Sequence, residues 1–346
     1  MARTLQSGDL RSRRGCLKYL NEILLGGKAF LRDPRIVAKR MAIGAATYLP
    51  HVNKFIANHG TGGTNSGRYC YAVWLRHFTL ARATVPDLGL VRVAELGPGD
   101  SLGIGLAALL SGAEHYTGLD VVPYASATVN ERILDELVEL FRRRVAIPGN
   151  NEFPEMHPNL ETLEFPSKDI PSLEACLAEE RVERIRWSLR NVGHPDSMID
   201  YVAPWSDSAR IDPASLDFVF SQAVLEHVDD LSGAYSALRT WLKPGGLMSH
   251  QIDFRCHGTA NAWNGHWGYP DWMWRTIRGN RPYLLNRQPY SSHRKQITEL
   301  GFRIVREIPI KGNSALTSSI LSARYSDLSD ADLTTQGCLV QARKGD

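Results

Sequence analysis

The sequence predicts an α/β fold: a doubly wound, seven-stranded, mostly parallel sheet with a helical N-terminal extension and insertions. Three observations predict it. After Pro86, short apolar runs alternate with helical segments, the order expected of βαβ units. One of those runs, residues 91–96, leads directly into a glycine turn and a helix. The composition, 43% hydrophobic and 22% charged over 346 residues, suffices for one large core with additions. Disorder, collagen-like repeats and disulfide scaffolds are excluded by the same figures.

Taken in order, residues 17–31 and 35–48 show apolar positions at helical spacing, with Pro34 as a break between them. Residues 59–67 are rich in glycine and small polar side chains and read as a loop, either a linker or a flap over a ligand. A third, strongly apolar helix is expected over 69–83. Together these make residues 1–86 a helical extension or lid, and 87–346 the sheet domain. Strands are expected at 91–96, 116–120, 198–202, 217–221, 247–253, 302–310 and 338–342, and helices at 101–110, 126–144, 173–189, 232–242 and 290–300. From Asp120 to Asp217 is 97 positions, although a βαβ unit needs about 30 residues or slightly more. Residues 147–195 are therefore an insertion. A second one, 255–289, carries Trp263, Trp267, Trp272 and Trp274.

The five cysteines are odd in number, widely spaced and never in a C-x-x-C pair, so neither a disulfide framework nor a zinc site is readable, and a reducing cytoplasm fits best. No metal ligand set is expected. No run of 18 apolar residues exists. Ser12-Arg13-Arg14-Gly15-Cys16-Leu17-Lys18 looks like a twin-arginine signal, but the stretch behind it holds Asn21, Glu22 and Lys28, too polar for a signal core. Charge is uneven: residues 1–50 carry a net +7 and the rest a net −4. Arg11, Arg13, Arg14, Lys18, Arg32, Arg35, Lys39 and Arg40 flank apolar positions, which leaves two readings open, a solvated face of a lid or peripheral contact with an anionic inner membrane face. No aromatic-basic stripe points to nucleic acid.

The chemistry concentrates in Glu95-Leu96-Gly97-Pro98-Gly99-Asp100-Ser101-Leu102-Gly103. Glycines there let the backbone approach a ligand without a Cβ in the way. The dinucleotide fingerprint G-x-G-x-x-G is broken, because position 102 is Leu and the third glycine is one residue late. What remains is E-x-G-x-G, which resembles the first motif of class I S-adenosylmethionine-dependent methyltransferases. Gly118-Leu119-Asp120 follows 25 positions after Glu95, where a carboxylate can accept both ribose hydroxyls. Leu216-Asp217-Phe218-Val219-Phe220-Ser221-Gln222 and Leu242-Lys243-Pro244-Gly245-Gly246 resemble the family's fourth strand and the turn into its fifth, in the right order.

The resemblance covers residues 90–254 and the last two strands, and is to type 11-like enzymes of polysaccharide and small-molecule biosynthesis. It implies a Rossmann-like fold, S-adenosylmethionine as cofactor, and Glu95, Gly97, Pro98, Gly99, Asp120, Val121, Ala203, Ser221 and Gln222 as its binding residues. The family's usual glycine is Ser101 here, which narrows the turn. The acceptor is expected to be a small molecule or glycan, with a noncatalytic cofactor-binding scaffold or an aromatic or lipid-linked acceptor as the alternatives. The oligomeric state is not legible.

Ligands of open parallel sheets lie beyond the carboxyl ends of the strands. That selects His227, His250 and Asp253 as candidate bases for a hydroxyl acceptor. Each can equally be structural. Beyond the fifth strand, Trp263 and His266 mix flat apolar faces with polar groups, a composition suited to a sugar or aromatic acceptor and also to a packed lid. Asn286-Arg287 resembles an Asn-Arg element of the polysaccharide-cluster enzymes, and Arg287 is suited to an acceptor phosphate or carboxylate.

Overall fold

A computed structural model describes residues 34–49, 63–122, 125, 127–170, 172–205, 208–281, 283–314 and 316–345. The described chain forms two compact units. The basic segment before Pro34, with its helix expected over 17–31, and residues 59–62 of the glycine-rich stretch lie outside the described residues.

In chain order the elements are α1 (Pro34–Ala46), α2 (Gly67–Thr84), β1 (Arg92–Leu96), α3 (Gly103–Leu110), β2 (His115–Leu119), α4 (Ala127–Arg142), α5 (Leu173–Cys176), α6 (Glu179–Arg190) and β3 (Ile199–Val202). They continue as β4 (Leu216–Gln222), α7 (Leu231–Trp241), β5 (Leu242–Asp253), α8 (Asp271–Arg278), α9 (Tyr290–Glu299), β6 (Phe302–Lys311), α10 (Asp330–Thr334) and β7 (Thr335–Lys344). The seven strands form one sheet in the order β3-β2-β1-β4-β5-β7-β6. The pairs β3–β2, β2–β1, β1–β4 and β4–β5 are parallel, and β7 runs antiparallel to β5. This is the expected Rossmann-like, doubly wound sheet.

The larger unit is built on that sheet. Helix α2 starts at Ser66, whose hydroxyl accepts from the Tyr69 amide. Cys70, Tyr71, Trp74, Leu75 and Phe78 on α2 are all at most 1% exposed. Ala72, Val73, Arg76 and His77 are buried as well, so the middle of the helix is covered on every side. That corrects the domain boundary expected at residue 86: α2 is a core helix of the sheet unit, not part of a lid. Trp74 packs against Phe218 and Phe220 of β4 and donates its indole N–H to Ser111 Oγ at 2.8 Å. Gly105 lets α3 lie against β2, since a Cβ there would sit 2.1 Å from the Tyr116 ring.

The expected insertion holds α5, α6 and a loop over 147–170. The helix expected over 173–189 is interrupted at Ala178, which is extended and begins a new helix whose first turn carries Glu179 and Glu180. Acidic side chains at that position favour a fresh N-terminus through the helix dipole. Buried Arg76 of α2 ties the loop down, donating to Pro148 O at 2.7 Å and Pro158 O at 3.3 Å and, within its own helix, to Ala72 O at 3.0 Å.

The smaller unit collects residues 34–49, 254–287 and 311–336. Its core is Val37, Cys256, Ala260, Tyr269, Trp274, Ile277 and Leu285. Helix α1 crosses α8 closely at Gly44, where a Cβ would lie 2.0 Å from Thr276 O. Helix α1 of the N-terminal extension and the tryptophan-rich insertion, read from sequence as separate additions, thus share one core, and a third stretch that gave no such signal, 311–336, belongs to the same unit.

Candidate functional site

The strand order reverses between β1 and β4, so the crevice at their carboxyl ends is where this topology places a ligand. The turn leaving β1 fits that role. Gly97 and Gly99 take φ of +66° and +72°, a region L side chains rarely enter. A Cβ on Gly97 would also stand 2.7 Å from Val224 Cγ2, just beyond β4. Pro98 is buried between the two glycines. The Gly97 amide donates to Leu119 O at 2.8 Å, which joins the turn to the end of β2.

Asp120 follows β2 and is 5% exposed. Its carboxylate accepts from the Val121 amide at 2.7 Å and the Gly99 amide at 3.4 Å. Burial raises its pKa, against the pull of those backbone donors. The Asp120 carbonyl accepts from the Trp205 amide at 3.0 Å, which brings the Ala203 segment alongside. Gly97, Gly99, Asp120, Val121 and Ala203 are thus brought together. The bare backbone of the turn and the acid one strand away form a donor set that fits the methionine and ribose parts of S-adenosylmethionine.

Glu95 lies behind the turn. It is 1% exposed, accepts from the Tyr116 hydroxyl at 2.7 Å and from the Gly105 amide, and burial pushes its pKa up to about 8, with Asp120 adding to the rise. It braces the turn from behind and presents no surface to a ligand. Ser221 is likewise enclosed, at 0% exposure, with its hydroxyl 2.7 Å from His250 Nδ1. Gln222 is half-buried, donates to Gln251 Oε1 at 3.3 Å, and its own Oε1 lies 3.3 Å from His77 Nε2. Of that pair only Gln222 retains surface at the strand end.

Among the candidate bases, His250 is wholly buried, and burial pushes its pKa down to about 3, with His77 and His293 lowering it further. Enclosed on every side, the ring has no surface to meet an acceptor hydroxyl, and its lowered pKa makes it a weak proton acceptor. Its neutral ring is a partner for Ser221 inside the sheet. Asp253 ends β5, is 7% exposed and pairs in register with Gly337 of β7. His227, in the short 3-10 turn Leu225–His227 after β4, is half-buried and is the most exposed of the three.

The acceptor-side candidates lie in the smaller unit. Trp263 is half-buried, donates its indole N–H to Asn313 O at 2.8 Å and meets Trp267 edge-on at 6.0 Å. His266, 2% exposed, stacks tilted on Trp267 at 4.8 Å. Asn286 is half-buried. Arg287, expected as an open hook for an anion, is 3% exposed between the rings of Trp274 (5.0 Å) and Tyr325 (4.7 Å) and donates to Tyr269 O at 2.7 Å. Two aromatic faces and a nearby Asp271 oxygen at 3.6 Å hold this guanidinium inside the unit, although burial lowers its pKa.

Sequence reading missed Thr64, His77, Tyr116 and Asn130. Tyr116 supports Glu95, and Asn130 of α4 accepts from the Leu102 amide at 2.8 Å. His77 bridges Ser249 Oγ at 2.8 Å and Gln222, 172 and 145 positions away. An imidazole within a largely apolar helical run carries no local signal of such distant partners. Ser101 did carry a signal, as the departure from glycine in the motif.

Residues 173–249 match the family model described as a methyltransferase domain. No curated protein matches the sequence. Among solved structures, a S-adenosylmethionine-dependent methyltransferase from Mesorhizobium loti is similar at 15% identity over 77% of this chain and 96% of its own, with a TM-score of 0.39. Phosphoethanolamine N-methyltransferase 2 from Haemonchus contortus, in complex with S-adenosyl-L-methionine, is similar at 13% identity over 88% of this chain and 60% of its own, with a TM-score of 0.39. The [4+2]-cyclase SpnF is similar at 14% identity over 78% and 80%, with a TM-score of 0.37. The matched segment runs from α5 to β5, and the glycine turn and Asp120 precede it on the same sheet. The family match is to a methyltransferase domain and covers 77 of the 346 residues.

Proposed function

We propose that the protein is a S-adenosylmethionine-dependent methyltransferase that transfers the methyl group to a hydroxyl of a small molecule or glycan, with sugars as the first acceptor class. The observation that carries the reading is half-buried Trp263 in the smaller unit, a flat apolar face with an indole N–H, backed by the buried rings of His266 and Trp267. Such a surface matches the two kinds of face that a sugar ring presents. Asn286 adds a half-buried amide before Arg287.

When bound, the cofactor supplies an electrophilic methyl group on a sulfonium whose departure needs no acid. The chain's own residues have the remaining tasks. Asp120 is suited to hold the ribose hydroxyls, the backbone of Gly97, Pro98 and Gly99 to admit the methionine part, and Gln222 to orient it. Positioning and the exclusion of water supply most of the rate of such a transfer. His227, half-buried after β4, is placed to take the proton of an acceptor hydroxyl, with Asp253 as the alternative.

The test is a turnover screen that follows S-adenosylhomocysteine across glycans, free sugars, phenols and lipid-linked saccharides. Product with a sugar hydroxyl, lost in His227→Ala, supports the proposal; turnover confined to phenols or amines overturns the acceptor class. Asp120→Asn is expected to weaken cofactor binding roughly 30- to 150-fold, as follows from losing one charge-assisted hydrogen-bond set worth about 2–3 kcal/mol. Calorimetry with S-adenosylhomocysteine measures it, and unchanged affinity removes Asp120 from the site.

A further inference from the structure

We infer that Thr64 and Ser101 form a latch that holds the cofactor turn in its binding shape, which makes both of them positioning residues for S-adenosylmethionine. Ser101 stands where the resemblance expects glycine, and it is fully buried. Its hydroxyl donates to the Thr64 carbonyl and accepts from the Gly103 amide at 3.1 Å. Its own amide donates to Thr64 Oγ1 at 3.3 Å. Ser101 therefore donates twice to the same residue, once from its side chain and once from its backbone. The Cys70 thiol adds a third link, donating to the Thr64 carbonyl at 3.4 Å.

The Thr64 side of the latch is anchored independently. Arg132 of α4 donates to Asn65 O at 2.7 Å, and Glu136 of the same helix accepts from the Gly67 amide at 2.7 Å. Arg132 and Glu136 also pair with each other. Helix α4 further takes the Leu102 amide on Asn130. The turn is thus gripped at Gly97 by β2, at Gly99 by Asp120, at Ser101 by Thr64 and at Leu102 by α4.

A glycine at 101 would keep the amide bond to Thr64 Oγ1 and lose both bonds of the hydroxyl. It would also free a backbone position of the widest conformational range. The serine therefore restores, through a side chain, the rigidity that a glycine-rich turn lacks. A turn already held in its bound shape loses less entropy when the ligand arrives. The narrowing of the turn by Ser101 is accommodated because its side chain points into the latch and has no exposed surface.

Ser101→Gly, Thr64→Val and Thr64→Ser are compared with wild type by calorimetry with S-adenosylhomocysteine and by hydrogen exchange of the turn amides. Ser101→Gly and Thr64→Val are each expected to raise Kd about tenfold, the loss of one or two buried hydrogen bonds. Thr64→Ser, which keeps the hydroxyl and the carbonyl, should stay within threefold. The double variant should bind no worse than the poorer single one, since both break the same latch. Faster exchange should be confined to residues 101–103 in the absence of ligand. Should Thr64→Val not fold, Ser101→Ala removes the latch's other hydroxyl without the conformational freedom of glycine, and its Kd decides. Folded variants with wild-type Kd and exchange overturn the latch. Failure of wild type itself to bind S-adenosylhomocysteine, with binding of NAD instead, overturns the cofactor as well and is told apart by that control.

Discussion

Glu95→Gln isolates the energetic cost of the buried acid behind the turn. Glu95 is 1% exposed, and burial lifts its pKa from 4.5 to about 8. The folded state therefore prefers the protonated acid, and wild type binds more protons folded than unfolded between those two values. The stability this confers is complete below pH 4.5 and is lost as pH rises through 8. A rise of that size corresponds to roughly 5 kcal/mol, at about 1.4 kcal/mol per pH unit. Glutamine has nearly the same shape, can still accept from the Tyr116 hydroxyl, and has no charge to desolvate. The difference in unfolding free energy between variant and wild type should therefore move in favour of the variant by several kcal/mol from pH 5 to pH 8, whatever its offset at pH 5. Urea unfolding at half-unit intervals measures it. A constant difference over that range would refute the reasoning, because it would mean that Glu95 ionises in the folded protein as easily as in the unfolded chain.

Three further outcomes follow from the same geometry. Burial holds His77 at about 4 and His250 and His293 at about 3, so the stability tied to their neutral forms is present above pH 6.5 and lost as pH falls below it. Net of the opposing Glu95, unfolding free energy should drop by roughly 2 kcal/mol per pH unit between pH 6 and 5, read from urea midpoints, and a flat profile there contradicts the burial of these rings. Gly97→Val puts a branched side chain at φ +66° against Val224, so S-adenosylhomocysteine affinity should fall at least tenfold, with Gly97→Ala intermediate; wild-type affinity in the valine variant would show that the turn is not the cofactor contact. Arg76→Met strands the buried carbonyls of Pro148 and Pro158 and should cost about 3 kcal/mol while opening residues 147–170 to limited proteolysis, and an unchanged digestion pattern would show that the insertion is held by other contacts.

The strands were legible because each is a short apolar run bounded by turn residues, and all seven expected strands are present in one sheet. The glycine turn and Asp120 were legible for a related reason. A bare backbone and a carboxylate at the ends of adjacent strands depend only on local spacing and strand order. Side-chain direction near the strand ends was not legible. His250 alternates correctly along β5, yet whether it meets solvent or Ser221 and Tyr235 depends on what covers that face. Arg287 shows the same limit: its neighbours Trp274 and Tyr325 lie 13 positions before and 38 after it.

Local periodicity and motif spacing by themselves determined the α/β class, the place of the cofactor turn and the acid on the following strand. Only the tertiary structure decided that α2 is core, that three separated stretches build the smaller unit, and that Glu95, Ser101 and His250 act from inside. Sequence patterns record which residues prefer to leave water, whereas the partner that receives them is set by chain segments far away, and it is that partner that settles charge state, exposure and role.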